Sequence, residues 1–365
     1  MDGVQKKQCC WRLCSGSLPL LLGLGLLSSG TCANPTLAFA NETRTGDSIP
    51  REYFSSAYSH PAMGTLFRIV ITGERGKSTA ENLARIAQEA FDEIDRIENI
   101  ISEWRPDSQT TYLNEHAGGK PVPVHNDLFR LLSVSKHFHE VSGGTFDVTV
   151  GPLVTLWQQC RKEQRIPTKD ELSEVLGVVG SDKLILEDLD RKAGLAKVGM
   201  SITTGGIGKG FALDKAAEVL RFHGVTSAIL DGGESSVVAI GTPPGELGWT
   251  VQVRHPYNKQ GSIETVVLKD ESYSASAGMG DSYVVDGKGY GHIFDPRTGM
   301  PPEGMVMVVA IAPTGAESEA LTKMFYIQGR EAAERYCQEN PDVRAVLVPE
   351  PASGELEPVR INFGT

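Results

Sequence analysis

Apolar residues recur at steps of three and four from Leu83 through Ile86, Ala90, Ile94 and Ile97 to Ile101. Glu89, Asp92, Glu93, Asp95, Arg96 and Glu98 fill positions between them. That period draws one apolar stripe along a helix and leaves the acidic residues on its solvated face. Ser78, followed three positions later by Glu81, supplies a capping box at its start. The same reading predicts a helix from Asn126 to the Ser142-Gly143-Gly144 stop, and another behind the Thr168/Glu171 capping box. A further helix runs from about Gly208 to Phe222 and ends at Gly224, a residue suited to a left-handed cap. Two more fit near 317–326 and 331–339. β-Branched and aromatic runs predict strands at 65–72, 227–230, 249–254, 283–285, 305–312 and 345–349. Helices and strands are interspersed without a regular βαβ repeat, which points to an α+β domain or to two interlocked lobes.

The N-terminal stretch departs from these patterns. Lys6, Lys7 and Arg12 precede an apolar core, Leu18 to Leu27, too short to span a bilayer. Small residues follow, so residues 1–40 read as a signal peptide cleaved after Ala33 or Ala40, with lipidation at Cys32 as a third outcome. Residues 41–59 are polar and aperiodic and read as a linker, which leaves 60–365 as the folded domain. Four of the six cysteines fall in the leader region, leaving Cys160 and Cys337, enough for one bridge and without metal-site spacing. The formal charge of −11 excludes a protein that neutralises nucleic-acid phosphates, yet leaves room for a nucleotide held by a few local donors.

Three short stretches carry chemistry. Thr203-Thr204-Gly205-Gly206-Ile207-Gly208-Lys209-Gly210 opens the helix at 208, and a helix start behind glycines attracts phosphate. It is not a Walker A loop, because Gly210 stands where Ser or Thr would hold a metal. The run from Tyr290 to Gly299 packs His292, Asp295, Arg297 and Thr298 together; Asp295 and Thr298 suit a turn, and His292 suits a base near neutral pH. Glu317 to Lys323 begins a helix, where carboxylates are expected and where Glu319 and Lys323 make a surface-type pair.

In this order, and with others between them, these stretches resemble the ApbE family of FAD:protein FMN transferases. Met63-Gly64-Thr65, Ser102 to Ser108 with Leu113-Asn114, Gly144 to Leu153 with Trp157, Gly206 to Asp214, and Asp286-Gly287-Lys288 with His292 to Gly299 carry the likeness over roughly 60–329. The resemblance implies a single large α+β domain with mostly antiparallel strands. It also implies FAD held at Met63, Trp104, Thr145, Phe146, Asp147, Thr203, Lys209 and His292, with His292 as the catalytic base. Family metal positions correspond to Gly206, Ala316, Glu319 and Lys323, and imply Mg²⁺. The implied reaction moves FMN from FAD to a Ser/Thr hydroxyl of a target protein with release of AMP. The implied partner is an acceptor of an electron-transport complex facing the periplasm.

The chain departs from the family at the metal. It reads Glu319-Ala320-Leu321-Thr322-Lys323 where the family has Asp-Ala-Leu-Ser-Thr. An ammonium has three donors and no lone pair, so Lys323 cannot ligate a cation, which leaves open the alternative that it replaces the ion and contacts the pyrophosphate directly. Thr203 replaces a usual Asp, and Ala277 a usual Gly. Two alternatives to the transferase stay open: a non-catalytic flavin binder, and a pyrophosphatase releasing FMN and AMP.

Overall fold

In the computed structural model, residues 52–258, 260–278, 282–351 and 354–364 are described. The leader, its cleavage points and Cys32 lie outside the described residues. Of the stretch read as a linker, residues 53–59 belong instead to a strand, β1 (Tyr53–Ala62), paired in antiparallel register with β2 (Thr65–Glu74). Met63 and Gly64 form the two-residue turn between them at φ 47° and 70°, the double left-handed geometry that twists a hairpin correctly. β1 escapes a hydrophobicity reading because its residues alternate only between exposed and half-buried until Ala62.

The amphipathic stripe becomes α1 (Ala80–Ile101), with Leu83, Ile86, Ala90, Ile94, Ile97 and Ile101 all buried. Its cap is Thr79, whose hydroxyl accepts the N–H of Asn82, so the Ser78/Glu81 box does not form. Then follow α2 (Gln109–Glu115), β3 (Val122–Pro123), α3 (Asn126–Val141), α4 (Gly151–Lys162) and α5 (Lys169–Leu176), the last with its capping box intact. β4 (Leu184–Glu187) and β5 (Lys192–Leu195) join β3 in a small sheet. α6 (Gly208–Phe222) lies where periodicity puts it, and Gly224 follows at φ 75°.

The second half supplies β6 (Ala228–Gly232), β7 (Ser236–Ile240), the hairpin β8 (Trp249–Arg254) and β9 (Ser262–Leu268), and β10 (Ser272–Ala277). The hairpin β11 (Tyr283–Val285) and β12 (Lys288–Tyr290) precedes β13 (Met305–Ala312). α7 (Gly315–Gln328), α8 (Arg330–Glu339), β14 (Arg344–Pro349) and β15 (Val359–Ile361) complete the fold. Eight strands form one antiparallel sheet in the order β1-β2-β6-β7-β10-β13-β14-β15, and Pro50–Thr365 make one compact α+β unit rather than two lobes.

Both faces of that sheet are covered. Val308, Ala310 and Ala312 of β13 join the core under the helices, whereas Val309 and Ile311 pack with Trp249, Val253, Val266 and Leu268 of the β8–β9 hairpin. All eight residues of β13 are therefore buried, which is why its sequence is continuously apolar rather than alternating. Cys160 and Cys337 are buried and unbridged, and burial pushes the Cys337 thiol up to about 12.

α6 and α7 meet backbone to backbone. A Cβ placed on Gly210 would fall 2.1 Å from the carbonyl oxygen of Gly315. This close approach, not a lost metal contact, accounts for glycine at 210. Asp214 of α6 accepts the N–H groups of Gly315 and Ala316 at 2.7 and 3.0 Å, satisfying the first donors of α7. Burial pushes the Asp214 carboxyl up to about 7 against those hydrogen bonds.

Candidate active site

The N-terminus of α6, the Glu319–Lys323 side of α7, the ends of β7 and β10, and the 145–148 and 291–296 segments enclose a cavity of about 640 Å³. Lys209, in the first turn of α6, donates to Ser235 Oγ just ahead of β7. Next to it, Ser236 donates to Glu319 Oε1 at 2.5 Å. Glu319 is 2% exposed, and its other oxygen, Oε2, has no partner among the described residues. Lys323 comes one helical turn later; a Cβ on Gly206 would stand 3.7 Å from its Cε. Burial lowers the Lys323 ammonium to about 8, with Glu319 opposing the fall and Lys209 adding to it.

The wall behind these charges is a ladder of hydroxyls. Ser272 and Ser274 of β10 lie 2.9 and 3.1 Å from Ser318 of α7, and Ser276 donates to Thr322 at 2.8 Å. Alternate strand residues share one face and helix residues four apart share one side, so the three serines of β10 meet the two hydroxyls of α7. These buried polar groups are paired with one another, which fixes α7 against the sheet at minimal desolvation cost.

On the opposite side, the 295–299 turn is self-contained. Asp295 accepts the Arg297 N–H and guanidinium, and its carbonyl accepts the N–H groups of Thr298 and Gly299. Trp157 of α4 stacks on Phe294 at 5.1 Å between centroids and donates to the Gly299 carbonyl at 2.7 Å. That clamp presents His292, exposed and on the cavity wall, two residues after β12. Asp147 faces the same space but spends its carboxylate on Thr149, Ser181 and His139, the last 2.8 Å away and out of line with the ring N–H. Burial opposes ionisation of Asp147, yet its hydrogen bonds outweigh it and hold the carboxyl below the usual range. The Asp147 carboxylate in turn raises His139.

The ApbE family model matches residues 63–347. The chain belongs to the ApbE family. It is 30% identical over 306 residues to an FAD:protein FMN transferase of Treponema pallidum, covering 78% of this chain and 82% of the relative. It is 27% identical over 277 residues to the FAD:protein FMN transferase of Escherichia coli K12, covering 74% and 78%. Among solved structures, the ApbE protein of Thermotoga maritima superposes with a TM-score of 0.72 at 28% identity, covering 85% of this chain and 97% of that one. The apo flavinyl transferase ApbE of Pseudomonas stutzeri, at 21% identity, shares the fold with a TM-score of 0.74.

Of the positions suggested by the ApbE likeness, Thr145, Phe146, Asp147, Thr203, Gly206, Lys209, His292, Glu319 and Lys323 line the cavity. Met63, Trp104 and Ala316 do not. Met63 sits in the β1–β2 turn, where its N–H donates to Glu98, and the Ala316 N–H is taken by Asp214. Trp104 is 76% exposed on the loop after α1. Its neighbour Glu103 accepts the hydroxyls of Thr203 and Thr204, tying the phosphate-type loop to the end of α1. An Asp at 203 would set two carboxylates against each other there, which gives Thr203 a local reason. Sequence reading missed Glu103, Ser235, Ser236 and the β10 serines. Their one signal was the Ser-x-Ser-x-Ser alternation of 272–276, a strand period written in hydroxyls.

The residues present do not fit a resident Mg²⁺. Among the described residues no three His, Cys, Asp or Glu side chains gather to hold a metal. Glu319 offers one orphaned carboxylate oxygen, but two ammonium groups share its surroundings, and hard cations need several oxygen ligands.

Proposed function

We propose that this chain is an FAD:protein FMN transferase. The observation that carries the reading is the cavity at the α6 N-terminus, where Lys209 and Lys323 face His292 inside the span matched by the family. In this reading the acceptor hydroxyl attacks the flavin-side phosphorus of FAD. A bond forms between that oxygen and phosphorus, and the bond from phosphorus to the bridging oxygen breaks. AMP leaves with the bridging oxygen and the electron pair, and the hydroxyl proton passes to His292. Lys209, steadied by Ser235, offsets charge on the diphosphate. The basic and apolar leader supports export, with an electron-transport acceptor outside the cytoplasm. The poor fit to Mg²⁺ favours a second reading, a flavin binder without catalysis.

Incubating the purified protein with FAD and an acceptor carrying a Ser/Thr target separates these readings. Flavin fluorescence on the denatured acceptor, together with AMP, is the expected result. FAD retained with neither label nor AMP would favour the binder, and AMP without label a pyrophosphatase.

A further inference from the structure

Glu319 and Lys323 share the cavity-facing side of α7, four residues apart. Neither is satisfied by the protein. Oε2 of Glu319 lacks a partner, and Lys323 forms no hydrogen bond or ion pair among the described residues. Glu319 is near enough for its charge to favour the protonated lysine, while Lys209 works against it. A desolvated ammonium left without an anion is costly, and a fold keeps one where a ligand completes it. Here the incomplete side faces a cavity that also holds the Lys209 ammonium and the start of α6, whose dipole favours negative charge. Ser274 and Ser276 cannot supply the missing acceptor freely, because their hydroxyls are engaged with Ser318 and Thr322. Two fixed positive groups on one wall match two neighbouring negative groups in a ligand. The diphosphate of a dinucleotide has that pattern; a metal ion does not.

We infer that Lys323 is a built-in cation which, with Lys209, neutralises the diphosphate of FAD, so that this chain binds FAD without a divalent metal. The inference rests on the FAD-using reading above. Glu319, held by Ser236, favours the charged ammonium through its own charge. The flexible lysine stem runs past Gly206, with its Cε within van der Waals reach of where a Cβ there would stand. A tethered single charge also meets less repulsion from Lys209 than a divalent ion would.

Titration of the full-length protein with FAD, followed by quenching of flavin fluorescence, tests this in excess EDTA and in excess Mg²⁺. The expected affinities agree within about twofold, and Lys323→Met lowers the EDTA value about tenfold, the loss of one charge-assisted hydrogen bond. Lys323→Arg, which keeps the charge, should retain most of the affinity, and riboflavin binding should be unmoved in both variants. Wild-type affinity that falls tenfold in EDTA and returns with Mg²⁺ would overturn the inference while leaving the transferase reading intact. Failure to bind FAD under either condition would overturn both. Because the metal response is read on the wild-type chain, a variant that failed to fold would not shield the inference.

Discussion

The two walls of the cavity treat charge in opposite ways. On the side of the 292–299 turn and Asp147, each ionic group already has its partner: Asp295 holds Arg297, and Asp147 is ringed by Thr149, Ser181 and His139. On the α6–α7 side, Glu319 keeps one oxygen bare and Lys323 has no hydrogen-bond or ion-pair partner among the described residues. The first wall is scaffold, its charges neutralised during folding. The second stores an imbalance that folding leaves in place and a ligand removes. Buried charge therefore marks the site only where it is left incomplete, because a fully bonded carboxylate such as Asp147 holds loops together instead.

The comparison can be broken most severely at His292, the single group through which the scaffold wall serves the chemistry. His292→Ala should cut FMN transfer by about 10²–10⁴-fold with FAD affinity little changed; equal rates in the fluorescence assay would remove it as the base. Asp147→Asn comes next, since it unpairs His139 and weakens four hydrogen bonds at once. We expect about 3–5 kcal/mol of lost stability in denaturant unfolding, and a loss under 1 kcal/mol would show that this wall is not scaffold. Lys323→Met should act with the opposite sign, stabilising the ligand-free fold by on the order of 1 kcal/mol at neutral pH while weakening FAD binding. Destabilisation by Lys323→Met would mean that its charge is already satisfied.

The smallest effect is in pH. Lys323 is depressed to about 8, so between there and the ordinary lysine value near 10.4 the unfolded chain binds more protons, and this group's contribution to stability rises with pH. Asp147 is depressed, so its contribution is present above about pH 4 and fades as pH falls through its folded value. His139 is raised, so its contribution is full below about pH 6.5 and is lost as pH rises through its folded value. Melting curves should therefore separate the walls, with Lys323→Met flattening only the alkaline limb.

Much of the fold was legible because burial writes periods into sequence. α1, α6 and β13 stand within two residues of where apolar spacing puts them, and each has a buried stripe or run that no other arrangement serves. β1 was not legible, since an edge strand paired on one side gains too little burial to alternate sharply. β10 was hidden for another reason: its core-facing positions are serines matched to hydroxyls on α7, a long-range pairing that one sequence cannot display. At the site, His292, Lys209 and Lys323 were found through motif likeness, whereas Glu103 and Ser236 act through partners 100 and 83 positions away. Trp104, one of the FAD positions implied by the resemblance, lies on an exposed loop outside the cavity lining.

The glycine-to-glycine contact between α6 and α7 carries one more consequence. With Gly210 against the Gly315 carbonyl and Asp214 bracing the start of α7, the two helices have no slack to slide. The spacing between the Lys209 and Lys323 backbones works as a fixed gauge, measuring a ligand's charges instead of adapting to them. Change of chemistry at this site is then a matter of single side chains on an unmoved frame, and an evolving lineage can trade one means of phosphate recognition for another without refolding the wall that holds it.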